Sequence, residues 1–537
     1  MSSATPRLPL AGVLRLGRPS DIWFKPALSV VVAVAPPNLT LLALGRLDLA
    51  MYTMAGSLCA LYAHNRPYAA RARALAWVVL GMLAGLAVAL VAASLTTSAV
   101  ALVTVGALLA AAQKALCDAA RIGPPGNVIF TFISSAALFA PQTLAQVPGH
   151  LTLAAAAGVW AWLIGMAPGL VRPHGPERRA TAHALRTAAA YAERPDDPRA
   201  RAAAAAAVQA AWQALLSAGA RTEPRRALDR LVVRAEVALA APADTGPERL
   251  RTWARDLRGN GEVPRTEDRG ALLGIDAELG LGGVPLRRRL GPLAPLALRT
   301  ALGCALAGYA SLAFGVGRPY WALVTAASLY QANLTLTWSR GVQRVVGNLV
   351  GVLLFAAVVP LAHLGPAALV LCCLAFNFGA EALISRNYWL GSVCVTPMAL
   401  LITEFAGFQE PGRLITERIV DTVVGALVGF AAAIAVTNRR AGDRIEDALT
   451  AADRAREHTA RLLAEPHPTP VAALESARRT LAAALVELRA GMDAASGEWW
   501  QRALPQERVV LAEQAGHRTL AATTRRLTSA TTEDVRP

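Results

Sequence analysis

Lysine is almost missing from this chain of 537 residues: Lys25 and Lys114 are the only two among 53 basic residues, and the rest are arginine. Charged residues of every kind make up 17%, against about a quarter in soluble domains. A soluble protein of this size needs more polar surface than that to cover its core, so an ordinary soluble body is excluded. The six cysteines (Cys59, Cys117, Cys304, Cys372, Cys373, Cys394) form no CxxC and lie in or beside apolar runs. That argues against a disulfide framework or a zinc site and for thiols packed as small apolar groups. The eight histidines contain no HExxH pair, and no phosphate loop or nucleophile–base set occurs. Neither an enzyme nor a metal or cofactor is expected. The net charge of +16 would suit nucleic acid, but no recognition motif accompanies it. The arginine-for-lysine bias runs with alanine richness and points to a GC-rich bacterial genome.

What is abundant is apolar sequence in runs of spanning length, about 17–25 residues. In a first half they fall near 26–45, 47–64, 74–93, 98–117, 127–146 and 150–170. In a second half they fall near 293–314, 319–337, 343–362, 366–385, 388–406 and 418–437. Runs 47–64 and 388–406 are interrupted by polar residues. An apolar stretch ending Ala33-Val34-Ala35 resembles a cleavage site, but Pro36 follows and the apolar character continues to Leu44. One uncleaved span, broken or kinked at Pro36-Pro37, is expected.

Basic residues set the orientation. Arg66, Arg71 and Arg73, then Lys114 and Arg121, then Arg172, Arg178 and Arg179 mark inner loops of the first half. In the second half Arg287, Arg288, Arg289 and Arg299 precede the first run, Arg340 and Arg344 occupy one inner loop, Arg386 the next, and Arg439 and Arg440 follow the last. Only the outer loop from Glu404 to Arg418, with Arg413, blurs the pattern. The reading is an all-α polytopic protein of about twelve spans in a bacterial plasma membrane, with both termini cytoplasmic. Its parts are a cytoplasmic N-terminus (1–25), a first transmembrane repeat (26–171), a cytoplasmic helical domain with a Gly/Pro/Arg-rich linker (172–292), a second repeat (293–437) and a cytoplasmic helical tail (438–537). In the middle region, Ala/Arg/Leu segments with Trp212 on one side predict a helical bundle.

The halves resemble each other. Gly45-Arg46 and Gly317-Arg318 follow their first spans, and Gly81-x-x-x-Gly85 and Gly347-x-x-x-Gly351 open their third. Small-xxx-small pairs let membrane helices approach closely, so each third span is expected in a helix contact; Gly425 and Gly429 form another pair. An even number of spans per half makes the repeat parallel, about an axis along the membrane normal. Gly/Ala-rich helices that look alike by composition alone are the alternative.

The stretch Gly317-Arg318-Pro319-Tyr320-Trp321-Ala322-Leu323-Val324-Thr325, then Arg340, Arg344, Gly347 and Gly351, resembles the core of the fusaric acid resistance protein-like family. That family includes bacterial aromatic acid exporters and is distantly similar to plant aluminium-activated malate transporters. Its Arg-x-x-Gly-Thr-x-x-Gly motif is matched by Arg344 to Gly351, with Asn348 in place of threonine, which puts any role of the hydroxyl in doubt. The resemblance implies efflux of organic acids, aromatic ones among them. A passive organic-anion channel and a non-transporting scaffold or sensor acting through its cytoplasmic helices are the alternatives.

Ionisable and amide groups inside spans are costly and mark pathways or partners. Arg340, Arg344 and Asn348 beside Gln331 and Asn333 are the candidate substrate site, since arginine offers a two-pronged donor to a carboxylate. Arginines that merely hold a loop on the cytoplasmic side are the competing account. Tyr320 and Trp321 could stack on an aromatic substrate or anchor a helix end at the interface. Asp421 and Glu381 are the proton or coupling candidates. A Glu381–Arg386 ion pair near Asn377 and Asn387, and a solvated helix end for Glu417, are the structural alternatives. Pro36-Pro37 with Asn38, and Pro397, could expose backbone carbonyls or serve packing only. The partners called for are the lipid bilayer and small organic anions, with a homo-oligomer left open and no nucleic acid.

Overall fold

The computed structural model describes residues 8–533, apart from 9, 11, 18–21, 219–221, 241, 243–245, 260, 265–289, 437–440, 466–469 and 499–503. Most of the linker, with Arg287, Arg288 and Arg289, and also Arg439 and Arg440, lies outside the described residues. Among those described there are helices and no strands.

Twelve apolar helices correspond to the twelve runs. In the first half they are α1 (Phe24–Ala43), α2 (Leu47–Leu61, partly 3-10), α3 (Tyr68–Leu95), α4 (Ala99–Ala119), α5 (Val128–Leu138) and α6 (Val147–Met166). A polar domain follows, made of α7 (Gly175–Ala192), α8 (Pro198–Ser217), α9 (Glu223–Ala240) and α10 (Pro247–Asp256). The second half contains α11 (Ala294–Ala313), α12 (Tyr320–Leu329), α13 (Leu334–Ala362), α14 (Pro366–Ile384), α15 (Tyr388–Thr403) and α16 (Pro411–Ala435). A tail of α17 (Ala441–Ala464), α18 (Val471–Ser496) and α19 (Gln506–Glu533) ends the described chain. Eight of the apolar helices are long enough to cross a membrane, and α2, α5, α12 and α15 are shorter. Leu80, Val88, Leu353 and Leu427 point outward from long helices, as lipid-facing side chains must.

Two boundaries differ from the sequence reading for one reason, and the first span differs for another. Counting apolar residues stops at a charge, but a helix does not stop there if the charge finds a place inside. α13 starts at Leu334, where Asn333 accepts the Leu336 N–H at 2.8 Å as an N-cap, so Arg340 and Arg344 lie within a helix and not in a loop. α16 starts at Pro411 and takes in Arg413, Glu417 and Arg418, which were assigned to an outer loop. α1 runs unbroken through Pro36 and Pro37, with the Thr40 hydroxyl donating to the Pro36 carbonyl at 2.9 Å.

Both halves start on the face carrying the polar domain and tail, here called the domain face. Their first helices end alike. Gly45 (φ +67°) donates to Leu42 O and Arg46 N–H to Leu41 O; Gly315 (φ +72°) donates to Leu312 O and Val316 N–H to Ser311 O. These are paired Schellman closures, which need the left-handed region that glycine adopts freely. The closing glycine of the second half is thus Gly315, two residues before Gly317. Within each half the helices touch the same neighbours: second with sixth, third with sixth, third with fifth, fourth with fifth. Between halves α1 packs on α14 and α11 on α4, so the first helix of each half meets the fourth of the other. In addition, α12 leans on α4 and α5.

Glycines set the closest approaches. A Cβ at Gly347 would lie 2.5 Å from Ser392 Cβ and 2.6 Å from Trp389 O; one at Gly351 would lie 2.7 Å from Thr396 Cβ. At Gly85 it would meet Gln113 Nε2 at 2.7 Å, and at Gly425 it would meet Ala322 O at 2.5 Å. Gly81 is looser, with the Phe130 ring at 3.2 Å.

The polar domain packs around Leu185, Trp212, Leu228 and Leu231, and the tail around Ile445, Leu481 and Leu488. They join where α8 meets α18 and α9 meets α19. There Glu236 pairs with Arg478 and accepts the Trp212 indole N–H at 2.8 Å, while the Arg479 guanidinium lies 4.1 Å above the Trp212 ring. Burial pushes the Glu236 carboxyl above the usual carboxylate range, against the pull of Arg478. The tail then docks on the membrane half: Thr335 N–H and hydroxyl donate to Gly497 O at 3.1 and 3.0 Å, and buried Arg299 pairs with Glu498 at 3.5 Å.

Two predictions follow from packing. Gly347→Val should lower the melting point of detergent-purified protein by the equivalent of about 1–3 kcal/mol of overpacking, whereas Gly442→Ala, with nothing within 4 Å of its Cβ, should not. Burial, then Arg201 and Arg489, lower the His517 imidazole to about 4. The unfolded chain therefore takes up that proton first, and stability should fall as pH drops from about 6.5 towards about 4. Melting curves across that range should flatten in His517→Leu.

Candidate functional site

α16 crosses the middle of the second half and touches α11, α12 and α13. Its inward face carries Arg418, Asp421, Thr422 and, one turn further on, Gly425, whose missing side chain admits α12. That close contact sets the Trp321 ring beneath the Arg418 guanidinium, 4.1 Å away. Arg418 is 1% exposed, and none of its three guanidinium nitrogens has a hydrogen-bond partner. A buried arginine of this kind costs several kcal/mol in desolvation, and a cation–π contact of about 2 kcal/mol offsets only part of that.

Asp421 is fully buried one helical turn away. Its Oδ1 accepts the Ser311 hydroxyl at 2.5 Å, and Oδ2 has no partner. Arg418 and Asp421 do not form an ion pair. Across from them α13 brings Arg344, whose Nη1 donates to the Tyr388 hydroxyl at 3.1 Å while Nε is unpartnered. Asn348 is held on both sides: its Nδ2 donates to Thr422 Oγ1 at 3.0 Å and its Oδ1 accepts from Thr396 Oγ1 at 2.7 Å. The amide thus ties α13 to both α15 and α16, a reach that needs its two-sided donor and acceptor set. Arg340 lies over the Tyr388 ring at 3.9 Å. Ten residues separate Arg344 from the start of α13, about 15 Å of rise, and seven separate Arg418 from the start of α16, about 10 Å. The two helices start at opposite faces, so both guanidinium groups lie well inside the bundle.

Of the residues singled out by sequence, Arg344, Asn348, Arg340, Tyr320, Trp321 and Asp421 come together here. Tyr320 packs against Trp321 with ring centres 4.8 Å apart, and Phe139 and Phe132 of the first half face the two rings at 5.9 and 5.6 Å. Tyr320 and Trp321 are buried, which does not suit interfacial anchors. Gln331 and Asn333 lie apart, in the turn at the domain face. Asn333 is occupied in capping α13 and lies against Gly497, and Gln331 Nε2 donates to Tyr330 O at 3.3 Å. Glu381 is on α14, outside the cluster, and makes no ion pair with Arg386. Asn377 donates to Cys373 O at 3.0 Å, while Asn387 donates to Val13 O and Arg15 O at 3.1 and 3.0 Å, fastening the N-terminal segment. Glu417 is held by Arg413 at 2.9 Å and Arg318 at 3.7 Å. Pro397 is inside α15.

Sequence reasoning missed Arg418, Ser311, Tyr388, Thr396 and Thr422. Arg418 could have been found: it precedes Asp421 by three and Gly425 by seven residues, which puts all three on one helix face. The hydroxyl residues carried no such signal.

The fold defines a multi-pass helical membrane protein with a buried charged cluster in its second half. Residues 305–432, which contain Ser311, Trp321, Arg344, Asn348, Arg418 and Asp421, match the fusaric acid resistance protein-like family. The second half of the molecule carries that domain. A stretch of 139 residues is 31% identical to the uncharacterized membrane protein YvaC of Bacillus subtilis (strain 168); it covers 26% of this chain and 22% of that protein, so the chain spans about a fifth of that relative's length. No solved structure matches the chain.

An unpartnered buried cation contributes nothing to folding that an apolar side chain could not. Arg418→Met should therefore insert normally and melt within about 1 kcal/mol of the parent, or higher. A loss of more than about 2 kcal/mol in the same melting assay would make the guanidinium a structural group.

Proposed function

We propose that this protein exports organic anions, aromatic carboxylates among them, across the bacterial plasma membrane, with both termini and both polar helical domains in the cytoplasm. One observation carries the reading: the Arg418 guanidinium is fully buried within the apolar helices, stacked on Trp321, with every nitrogen free to donate. A carboxylate accepts two parallel N–H bonds from such a group, and the adjacent indole offers a flat apolar wall for the rest of the molecule. Arg344 adds a second buried cation beside Asp421, and the neighbouring Glu417 is taken up by Arg413 and Arg318. The field favours an anion.

The two halves are, in this reading, a parallel repeat. The recurring order of long and short helices, the repeated Schellman closures and the reciprocal contacts α1–α14 and α4–α11 support it. The second half gathers Arg344, Arg418 and Asp421 in one cluster, whereas among the first-half helices Gln113, Thr131 and Ser134 form a neutral set joined by hydrogen bonds of 2.8 and 3.1 Å. The proposed pathway therefore runs through the second half.

Liposomes loaded with radiolabelled benzoate test the proposal. Wild-type protein should release it, while Arg344→Ala and Arg418→Gln should be inserted in equal amount and release it at least about tenfold more slowly. That corresponds to loss of at least one charged hydrogen bond. Equal release by both variants would remove these residues from the pathway, and steady single-channel currents from the wild type would identify a pore in place of a carrier.

A further inference from the structure

Asp421 and Arg418 stand one turn apart on the same face of α16, both buried, and each has an unmade bond. Asp421 Oδ2 has no partner, Arg418 has none on three nitrogens, and yet they do not pair. The surroundings offer Asp421 no other cation within ion-pair reach. From α11 it meets the neutral Ser311 hydroxyl, and α12 presents Tyr320 and Trp321. From α13, Arg344 is turned to Tyr388 and Asn348 is spent on Thr422 and Thr396. On α16 itself, Glu417 is neutralised by Arg413 and Arg318. Asp421 and Arg418 thus share one buried helix face, each with bonding capacity left unused.

Two anions cannot both hold one buried guanidinium without strong repulsion. Resting on the anion-site reading above, we propose that Asp421 and the transported carboxylate compete for Arg418, so that anion binding is linked to protonation of Asp421. When Asp421 is ionised, a side-chain rotation closes the Arg418–Asp421 pair and shuts the site. When Asp421 takes a proton, the pair opens, Arg418 is free to donate, and the carboxylate binds. The open pair described above is the receptive arrangement. Balance is simple: one proton is taken up on a carboxyl oxygen of Asp421 for each anion bound at Arg418, and no covalent bond other than O–H changes. The charge added to the site is then zero, so the loaded site differs from the closed one by a neutral acid.

Linkage makes the coupling reciprocal and measurable. Calorimetry of benzoate binding to detergent-purified full-length protein between pH 5.5 and 8 should show affinity falling by up to about tenfold per pH unit, with one proton taken up per anion, read from the dependence on buffer ionisation enthalpy. Asp421→Asn should bind benzoate independently of pH, as tightly as the wild type does at its acid limit, with no proton uptake. Asp421→Glu should keep the pH dependence; this variant also separates lost coupling from lost folding. Unchanged pH dependence and proton uptake in Asp421→Asn would overturn the competition while leaving the anion site standing. Absence of benzoate binding by the wild type at every pH would overturn the anion-site reading itself, and the competition with it.

Discussion

A guanidinium in the dry middle of a helical bundle is the constraint around which the second half is arranged. Transfer of an ion from water to a low-dielectric interior costs several kcal/mol even after relaxation, and Arg418 receives in return one indole face and no hydrogen bond from the protein. The surrounding chain accommodates this by bringing helices very close. Gly425 and Gly429 let α12 approach α16, and Gly347 and Gly351 let α15 approach α13. Asn348 then fastens three helices with two short hydrogen bonds. The cation is tolerated because the packing that surrounds it is over-determined.

The short helices make this arrangement possible. α12 covers only ten residues, about 15 Å, and continues through an extended Tyr330 into the turn that Asn333 closes. Non-helical backbone that is buried needs partners for its N–H and C=O groups. Here the Gln331 N–H donates to Thr337 Oγ1 at 3.1 Å, and Tyr330 and Asn333 are buried. The same turn is where Gly497 of the tail docks, so the helix that carries Arg344 is anchored at its first residues by the polar domains.

Much of this was legible in the sequence, and the misses have a common cause. Twelve apolar runs became twelve apolar helices, because hydropathy reports the solvent a segment needs. Glycine pairs spaced by four residues marked the close contacts. The boundaries around Arg340, Arg344 and Arg418 were misplaced because a window that scores charge as an interruption cannot see that a buried site requires it. Asn333 and Gln331 looked like site residues because they lie near Arg340 along the chain, but capping and tail docking take up their polar groups. Asn387 was claimed by Val13 and Arg15, more than 370 residues away in sequence, a pairing that no local pattern encodes.

The seam between the halves has a consequence of its own. On the proposed repeat, α1 against α14 and α11 against α4 are two like contacts, the arrangement expected where two separate subunits meet. The covalent connection through the polar domain removes the association step: tethered partners meet at a fixed effective concentration, whatever the level of expression. With both halves on one chain, each is free to lose features that a symmetric pair would have to keep twice. The Arg418–Asp421 cluster in one half and the hydrogen-bonded Gln113 set in the other are what such a division of labour permits.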